Sequence, residues 1–294
     1  MGTLDLHMHS LYSDDGQYTP EELMALCKKA GLRTAAIADH NCVSGIAAGL
    51  RAAQEEQLEL IPAVELDCTH DGVNFHLLGY FIEPDEREYG PVEENLLAQD
   101  RAACQKRMRL VRAAGIKFDE DFARSLSRNG VVTSEMIAEA ALAVDQDRQP
   151  PLMAPYYPGG ERSDNPFVNF YWDHCAQGKP FFSPVTYQSL REACALIRRT
   201  GGVPILAHPG NNLKERVPLM ESVFKEDVCG MEVYSSYHTP EQTEFYRVWC
   251  EKLGGIATCG SDFHGKTKPS IRLGSADCRG SEDEVLDRLR SARK

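Results

Sequence analysis

The chain has 294 residues, of which 42% are apolar and 26% are charged, a composition typical of a folded globular protein and not of a disordered one. Lysine and arginine number 32 and aspartate and glutamate 44, so the formal net charge is −12. This negative charge disfavours binding to long nucleic acid or to an anionic membrane surface. No segment approaches the roughly 18 consecutive apolar residues that a membrane-spanning helix needs.

The ten cysteines are interpreted as free thiols. No Cys-x-x-Cys pair occurs, and residues 1–7 have neither the basic nor the apolar region of a secretion signal. We therefore expect a cytoplasmic protein without disulfides and without a thiolate metal site.

Strands and helices are predicted to alternate over the first 85 residues. The predicted strands are 3–7, 34–38, 58–64 and 74–81, and the predicted helices are 19–30 and 44–57. The first helix has clear ends, because Thr19-Pro20 is typical of an N-cap and first turn and Gly31 of a C-terminal cap. This alternation predicts a parallel sheet flanked by helices.

The alternation stops after Pro84 and returns near residue 188. Residues 86–187 are predicted to form a mainly helical insertion, with amphipathic helices at 93–114 and 133–144 and a proline-rich stretch after them. Beyond the insertion we predict helices at 189–200, 219–225, 240–253 and 281–293. Strands are predicted at 203–207, 230–234 and 255–259. We therefore predict one α/β domain built from residues 1–85 and 188–294, with residues 86–187 as a cap subdomain.

Histidines are concentrated at or within the predicted strands, next to polar turns. Seven of the nine histidines lie there: His7, His9, His40, His76, His208, His238 and His264. Residues i and i+2 of a strand point to the same face, so His7 and His9 project together, and Asp262 and His264 repeat the spacing. Paired neutral imidazoles are costly to bury without a partner, and a shared cation supplies one. This pattern predicts a metal centre.

The candidate ligands are too many for one ion. They are His7, His9, Asp14, His40, Glu65, His76, His208, Asp262 and His264. Nine ligands fit two to three divalent ions bridged by Glu65 and Asp262. Nitrogen and oxygen ligands without thiolate suit manganese, which we expect first, and also iron or zinc.

The segments that carry these residues resemble, in order, the motifs of the PHP (polymerase and histidinol phosphatase) family of metal-dependent phosphoesterases. They are DLHMHS at 5–10, SDDG at 13–16, ADHN at 38–41, PAVE at 62–65, HLLGY at 76–80, AHP at 207–209 and GSDFH at 260–264. The resemblance implies a distorted seven-stranded (β/α) barrel with the metal cluster at the carboxyl ends of its strands. It also implies Asp14, which follows Ser13 as in the family pattern, as the first acidic ligand in preference to the adjacent Asp15.

The resemblance is greatest to the standalone group with a helical insertion, which acts on small phosphorylated substrates such as nucleotides, 3′,5′-bisphosphates and cyclic phosphates. It implies hydrolysis of a nucleotide or sugar phosphate monoester, or of a cyclic phosphodiester, by a hydroxide that bridges two metals. Many relatives carry Arg-x-His-Phe-Ala in the insertion, whereas the counterpart here, residues 134–138, has neither Arg nor His. We therefore expect a substrate with one phosphate in preference to a bisphosphate.

Roles for other residues follow from their places in the chain. His238 is a candidate proton donor to the leaving oxygen, Asp262 a bridging catalytic carboxylate, and Asp39 a residue that orients a ligand. Candidate substrate-binding residues are Arg101, Arg107, Lys179 and His238. The alternatives are an exonuclease that trims short oligonucleotides, an amidohydrolase-type C–N hydrolase, and a non-catalytic metal-binding module.

Overall fold

The structure is a computed structural model that describes residues 2–278 and 280–293. The strands of this part of the chain are β1 (Leu4–Met8), β2 (Thr34–Ile37), β3 (Glu59–Leu60), β4 (Ala63–His70), β5 (Val73–Tyr80), β6 (Gln188–Ser189), β7 (Val203–Leu206), β8 (Gly230–Ser235) and β9 (Ile256–Gly260). Its α-helices are α1 (Pro20–Ala30), α2 (Ile46–Glu56), α3 (Glu86–Ala113), α4 (Glu120–Leu126), α5 (Ser134–Leu142), α6 (Pro166–Phe170), α7 (Leu190–Arg199), α8 (Pro209–Asn212), α9 (Val217–Val223), α10 (Pro240–Lys252) and α11 (Glu282–Ser291).

The strands form two sheets with helices packed against them. One has the order β1-β2-β3, and the other has the order β6-β4-β5-β7-β8-β9. Isolated bridges from Met8 to Phe263 and from His40 to Glu65 link the two sheets. The α/β class is confirmed, but a closed seven-stranded barrel is not, because the nine strands in the described residues pair as two separate sheets.

The larger sheet is mixed, so the prediction of a parallel sheet was wrong at β5. This strand pairs antiparallel with both β4 and β7. Asp71 and Gly72 join β4 to β5 with φ values of +48° and +73°, as in a tight two-residue hairpin turn. The antiparallel register places His76 opposite Asp67. The hairpin therefore brings a histidine from the middle of a strand to the edge where the neighbouring strands end.

Two element boundaries also differ from the sequence prediction. The strand predicted at 58–64 is split into β3 and β4 around residues 61–62. Helix α3 begins at Glu86, not at residue 93, and continues through Pro91. Its start is fixed by Asp85, whose side chain accepts a hydrogen bond from the backbone N–H of Arg87.

Residues 86–187 contain an apolar cluster of their own, which includes Met108, Ile137 and Phe170. Helices α3 to α6 lie in this segment, while the sheets pack around other apolar clusters. The division into a barrel domain and a cap subdomain stays a prediction. Among the described residues, no helix combines the length and hydropathy required to cross a bilayer.

Candidate metal centre

Glu65 lies at the centre of a buried group of histidines. The side chain is fully buried in β4, where neighbouring strands end. Both carboxylate oxygens approach ring nitrogens. The separations are 3.1 Å from Oε2 to His7 Nε2, 3.2 Å from Oε2 to His9 Nε2, 3.3 Å from Oε2 to His40 Nδ1, 3.0 Å from Oε1 to His76 Nδ1 and 3.2 Å from Oε1 to His208 Nε2. One carboxylate thus connects five histidines from four different segments of the chain.

Asp262 is the second carboxylate of the centre. It follows β9 with a φ of +57°, a left-handed conformation that aspartate tolerates better than most residues. Its Oδ1 lies 3.1 Å from His9 Nε2 and 3.4 Å from His7 Nε2. Its Oδ2 accepts hydrogen bonds from Tyr237 Oη at 2.7 Å and Lys268 Nζ at 2.5 Å. One oxygen thus faces the histidines while the other is held in place.

Four overlapping groups in the described residues have the composition and spacing of metal sites. They are His9, Asp15, His40 and His264; His7, His9, Glu65 and Asp262; His40, Asp67 and His76; and Glu65, His76 and His208. In each group the ligand atoms lie within 4.8 Å of one another.

The chemistry of this centre fits bound cations. Glu65 Oε2, Asp262 Oδ1 and His264 Nε2 are buried and form no hydrogen bond within the described part of the chain. Unpartnered buried polar atoms are costly, so a ligand that satisfies several at once is favoured. The His7 and His9 Nε2 atoms face each other at 3.1 Å, an arrangement that a shared cation stabilises. The donor set of nitrogen and oxygen atoms suits manganese, iron or zinc.

Hydrogen bonds to the remote ring nitrogens orient the first histidine pair. His7 Nδ1 lies 2.9 Å from the buried Glu232 Oε1, and His9 Nδ1 lies 3.0 Å from Ser13 Oγ. Ser13 Oγ in turn donates to Asp39 Oδ1 at 3.2 Å. Such outer partners fix the tautomer and direction of a metal-binding imidazole. Asp39 thus connects to His9 through Ser13, and its role in orienting a ligand stays a prediction.

The structure favours Asp15 over Asp14 as the first acidic ligand. Asp15 Oδ2 lies 3.1 Å from His264 Nε2, whereas Asp14 Oδ1 accepts a hydrogen bond from Asn129 Nδ2 at 2.6 Å. Although burial opposes ionisation of Asp15, the adjacent His264 holds its pKa well below the usual range. Burial raises the pKa of Asp14 to about 6. The turn is tight, since a Cβ on Gly16 would lie 1.9 Å from the carbonyl oxygen of Ser10.

The histidines differ in their affinity for protons when no metal is bound. Burial alone would lower the pKa of His76, but the charge of Glu65 outweighs it and raises this pKa to about 9. Burial and the neighbouring His264 and His40 lower the pKa of His9 to about 4. His9 is therefore neutral and ready to bind a metal at pH 7, whereas His76 must first release a proton.

The apparent affinity for Mn²⁺ is accordingly expected to rise with pH between about 6.5 and 9. Below pH 9 the metal-free protein holds the His76 proton, so binding at that ring releases it and becomes easier as the pH rises. Calorimetric titrations at pH 6.5, 7.5 and 8.5, in buffers of different ionisation enthalpy, measure the affinity and the proton release. A His70→Gln control, outside the centre, should keep the same slope. An affinity independent of pH would contradict this prediction.

Comparison with known proteins agrees with this geometry. Residues 5–143 match the family model described as the PHP domain. The chain carries a PHP domain. The match includes β1, β2, β4 and β5, and therefore His7, His9, Asp15, Glu65 and His76.

Relatives of this chain are named as enzymes that act on phosphate esters. A 5′-3′ exoribonuclease of Haemophilus influenzae is 28% identical over 267 residues, which cover 88% of this chain and 89% of the relative. A 3′,5′-nucleoside bisphosphate phosphatase of Chromobacterium violaceum is 26% identical over 270 residues, which cover 90% and 88%. A crystal structure of a protein from Bifidobacterium adolescentis, named as a candidate metal-dependent phosphoesterase, is also similar. The two structures superpose with a TM-score of 0.75 at 25% sequence identity, and the match covers 99% of this chain and 96% of the other.

Three residues of the metal centre were missed by the sequence analysis. Asp67 Oδ1 lies 3.2 Å from His76 Nε2, and Glu232 is fully buried against His7. Lys268 is 6% exposed and pairs with Asp262. Asp67 could have been found, because it lies two residues after Glu65 and so shares its face of the strand.

His238 does not face the centre, so its predicted role as proton donor is not supported. Its Nδ1 donates to the carbonyl oxygen of Val233 at 2.8 Å, and its Nε2 accepts from the backbone N–H of Gly210 at 3.0 Å. The ring stacks on Tyr246 with centroids 4.9 Å apart. Both ring nitrogens are therefore used, and His238 holds the turn that follows His208.

The three predicted phosphate-binding cations lie in different surroundings. Arg101 Nε donates to the carbonyl oxygen of Asn129 at 2.8 Å. Arg107 Nη2 lies 3.5 Å from Asp100 Oδ1, and the Arg107 side chain is mostly buried. The two arginines thus bond within the helical insertion, whereas Lys179 lines a cleft beside the centre.

A cleft of about 200 Å³ opens directly onto the metal centre. Its walls include Asp15, His40 and His76 of the centre. Residues 86–187 supply the opposite side, including Leu96, Val168, Tyr171 and Trp172. The insertion therefore covers the centre and leaves room for a small ligand.

Proposed function

We propose that this chain is a metal-dependent phosphoesterase that hydrolyses a small phosphorylated metabolite. The candidate substrates are nucleotide or sugar phosphate monoesters and cyclic phosphodiesters. The observation that carries the proposal is the buried set of histidines around Glu65 and Asp262, which faces a cleft covered by the insertion. The number of candidate ligands supports two to three divalent ions per chain, and manganese is the metal that we expect first.

The four groups of histidines and carboxylates described above would hold the ions, and Glu65 belongs to two of these groups. Divalent ions bound there supply Lewis acidity toward phosphate oxygens and activate water near neutral pH. The protein's own contribution is to fix the ligands in place. Buried partners such as Glu232 and Ser13 orient the imidazoles before the substrate arrives.

Lys268 adds a fixed positive charge to this arrangement. Its ammonium group lies 2.5 Å from Asp262 Oδ2 and 5.4 Å from the centroid of the Tyr237 ring, and the residue lines the cleft. The Lys268 charge and His264 keep the pKa of Asp262 well below its usual range, although burial opposes this. An ammonium group in this position can also donate to a phosphate oxygen. We assign Lys268 to substrate phosphate binding, in place of Arg101 and Arg107.

A substrate panel tests the proposed function. Phosphate release is compared for mononucleotides, sugar phosphates, cyclic phosphates and a 20-nucleotide RNA at equal concentration with Mn²⁺-loaded protein. We expect small substrates to be hydrolysed faster, because a chain of net charge −12 gains little from counterion release on a polyanion. Faster turnover of the RNA with steep inhibition by salt would favour the exonuclease alternative.

Substitution of His238 by asparagine is expected to change kcat less than about fivefold and to leave the alkaline limb of the pH profile in place. Both ring nitrogens already bond to backbone groups, so the ring has no proton to offer to a leaving oxygen. The measurement is kcat against pH for both proteins. A loss above about 100-fold together with a lost alkaline limb would restore His238 as the proton donor.

A further inference from the structure

The turn at residues 10–17 carries Asp15 and is held from outside by the helical insertion. Arg128, which lies two residues after helix α4, donates from Nη1 to the carbonyl oxygen of Leu11 at 2.8 Å and to that of Gly16 at 3.2 Å. These two carbonyl groups lie on either side of Asp15 in the sequence. One guanidinium group therefore contacts the turn both before and after its candidate metal ligand.

The next residue, Asn129, makes a further contact with the same turn. Its Nδ2 donates to Asp14 Oδ1 at 2.6 Å, and its Oδ1 accepts from the backbone N–H of Val131 at 3.1 Å. The carbonyl oxygen of Asn129 accepts from Arg101 Nε at 2.8 Å. The side chain that contacts the turn is therefore itself fixed within the insertion.

The loop after His264 is tied to the insertion as well. Lys266 Nζ lies 2.9 and 2.8 Å from the two carboxylate oxygens of Glu139 on α5. Thr267 Oγ1, from the same loop, donates to the carbonyl oxygen of Asp15 at 2.7 Å. Asp15 and His264 are thus held against the insertion through separate contacts and are linked to each other.

The two halves of the turn at residues 10–17 are stabilised in different ways. In the first half, Ser10 and Ser13 bond the buried carboxylate of Asp39. In the second half, residues 14–17, the side-chain contacts come from Arg128 and Asn129 and from the loop after His264. The half that carries Asp15 therefore depends on the insertion for its order.

These contacts reach only one of the four candidate metal groups. The group is His9, Asp15, His40 and His264, called the Asp15 group below. In the described part of the chain, no residue of 86–187 forms a hydrogen bond or an ion pair with Glu65, His76 or His208. The insertion therefore acts selectively on the ion that the Asp15 group would hold.

We propose that Arg128 and Asn129 are positioning residues for the metal ion of the Asp15 group, so that the insertion is part of this metal site as well as its cover. The inference rests on the proposed metal-dependent function. Neither residue is a ligand, and both act through the turn. A carboxylate that is ordered before binding loses less conformational entropy when it takes up an ion. Without the two side chains, this ion binds more weakly while the other ions are retained.

The test compares Arg128→Ala/Asn129→Ala with the control Arg124→Ala. Both variants remove one positive charge from an exposed arginine of the same segment, but Arg124 pairs with Glu120 on α4 and does not contact the turn. Equilibrium dialysis against Mn²⁺, with elemental analysis, measures the number of bound ions and the affinity of each. Phosphate release from the best substrate of the panel is measured at limiting and at saturating Mn²⁺, with circular dichroism to confirm the fold.

The expected result is that one of the two to three Mn²⁺ ions binds about tenfold more weakly in the double variant, because each lost hydrogen bond contributes a few-fold. The other ions should change less than twofold, and Arg124→Ala should match the unmodified protein. Saturating Mn²⁺ should restore kcat to within about threefold. The sign is diagnostic, because loss of a nearby positive charge would by itself tighten the binding of a cation.

Unchanged or tighter binding of every ion in the double variant would overturn the positioning role and leave the proposed function standing. Equal weakening of all ions, or the same loss in Arg124→Ala, would overturn it too. If the double variant does not keep the circular dichroism spectrum, the single variant Arg128→Ala decides. It should weaken the same ion about threefold, and unchanged binding would overturn the proposal.

Failure of the proposed function has a different signature. In that case the unmodified protein binds Mn²⁺ but releases no phosphate from any substrate of the panel, and the dialysis comparison decides the positioning role by itself. Unmodified protein that binds less than one equivalent of Mn²⁺ would overturn both proposals.

Discussion

Replacement of Glu65 by glutamine is expected to lower phosphate release by at least about 10³-fold and to remove most of the bound metal. The Glu65 oxygens lie within 3.3 Å of ring nitrogens from five histidines. Glutamine keeps the shape but removes the charge and replaces one oxygen with a group that cannot bind a cation. The measurements are kcat and elemental analysis of the purified variant, with circular dichroism to confirm the fold.

Glu232→Gln is the matched control for this substitution. Glu232 is equally buried, but it bonds His7 Nδ1 and the backbone N–H of His208 instead of facing the other ring nitrogens. We expect it to retain metal and to lose about 10- to 100-fold in activity, as for other partners of metal-binding histidines. Near-normal turnover with full metal content in Glu65→Gln would show that the centre has been placed on the wrong carboxylate.

Asp15→Asn is expected to lose about one metal equivalent and about 100-fold in activity, whereas Asp14→Asn should stay within about threefold. The Asp15 carboxylate completes the group with His9, His40 and His264. Asp14 instead accepts a hydrogen bond from Asn129, which asparagine can preserve. Parallel metal analysis and phosphate-release assays on the two variants decide between the neighbours. The reverse order of effects would restore Asp14 as the ligand.

Much of the centre was predictable because its residues follow short-range rules. The i, i+2 spacing of His7 and His9 in and after β1 places both rings toward Glu65. The same rule applied to β4 would have added Asp67. The choice between Asp14 and Asp15 depends instead on the tight turn from Ser10 to Gly16, which is held by tertiary contacts such as the 3.2 Å hydrogen bond from Arg128 Nη1 to the carbonyl oxygen of Gly16.

Other features depend on contacts between distant parts of the chain. Lys268 reaches Asp262, and His238 turns toward Gly210, through packing that no local pattern indicates. The antiparallel β5 was an avoidable error, because Asp71-Gly72 is a strong hairpin signal.

A titration of metal-free protein with Mn²⁺, followed by phosphate release from the best substrate of the panel, tests the central claim most directly. The proposed function predicts no release without metal and a rise that levels off at two to three equivalents per chain. The same plateau should disappear on addition of a chelator. Release that is unaffected by chelation, or protein that binds less than one equivalent and hydrolyses none of the phosphate esters, would contradict a metal-dependent phosphoesterase.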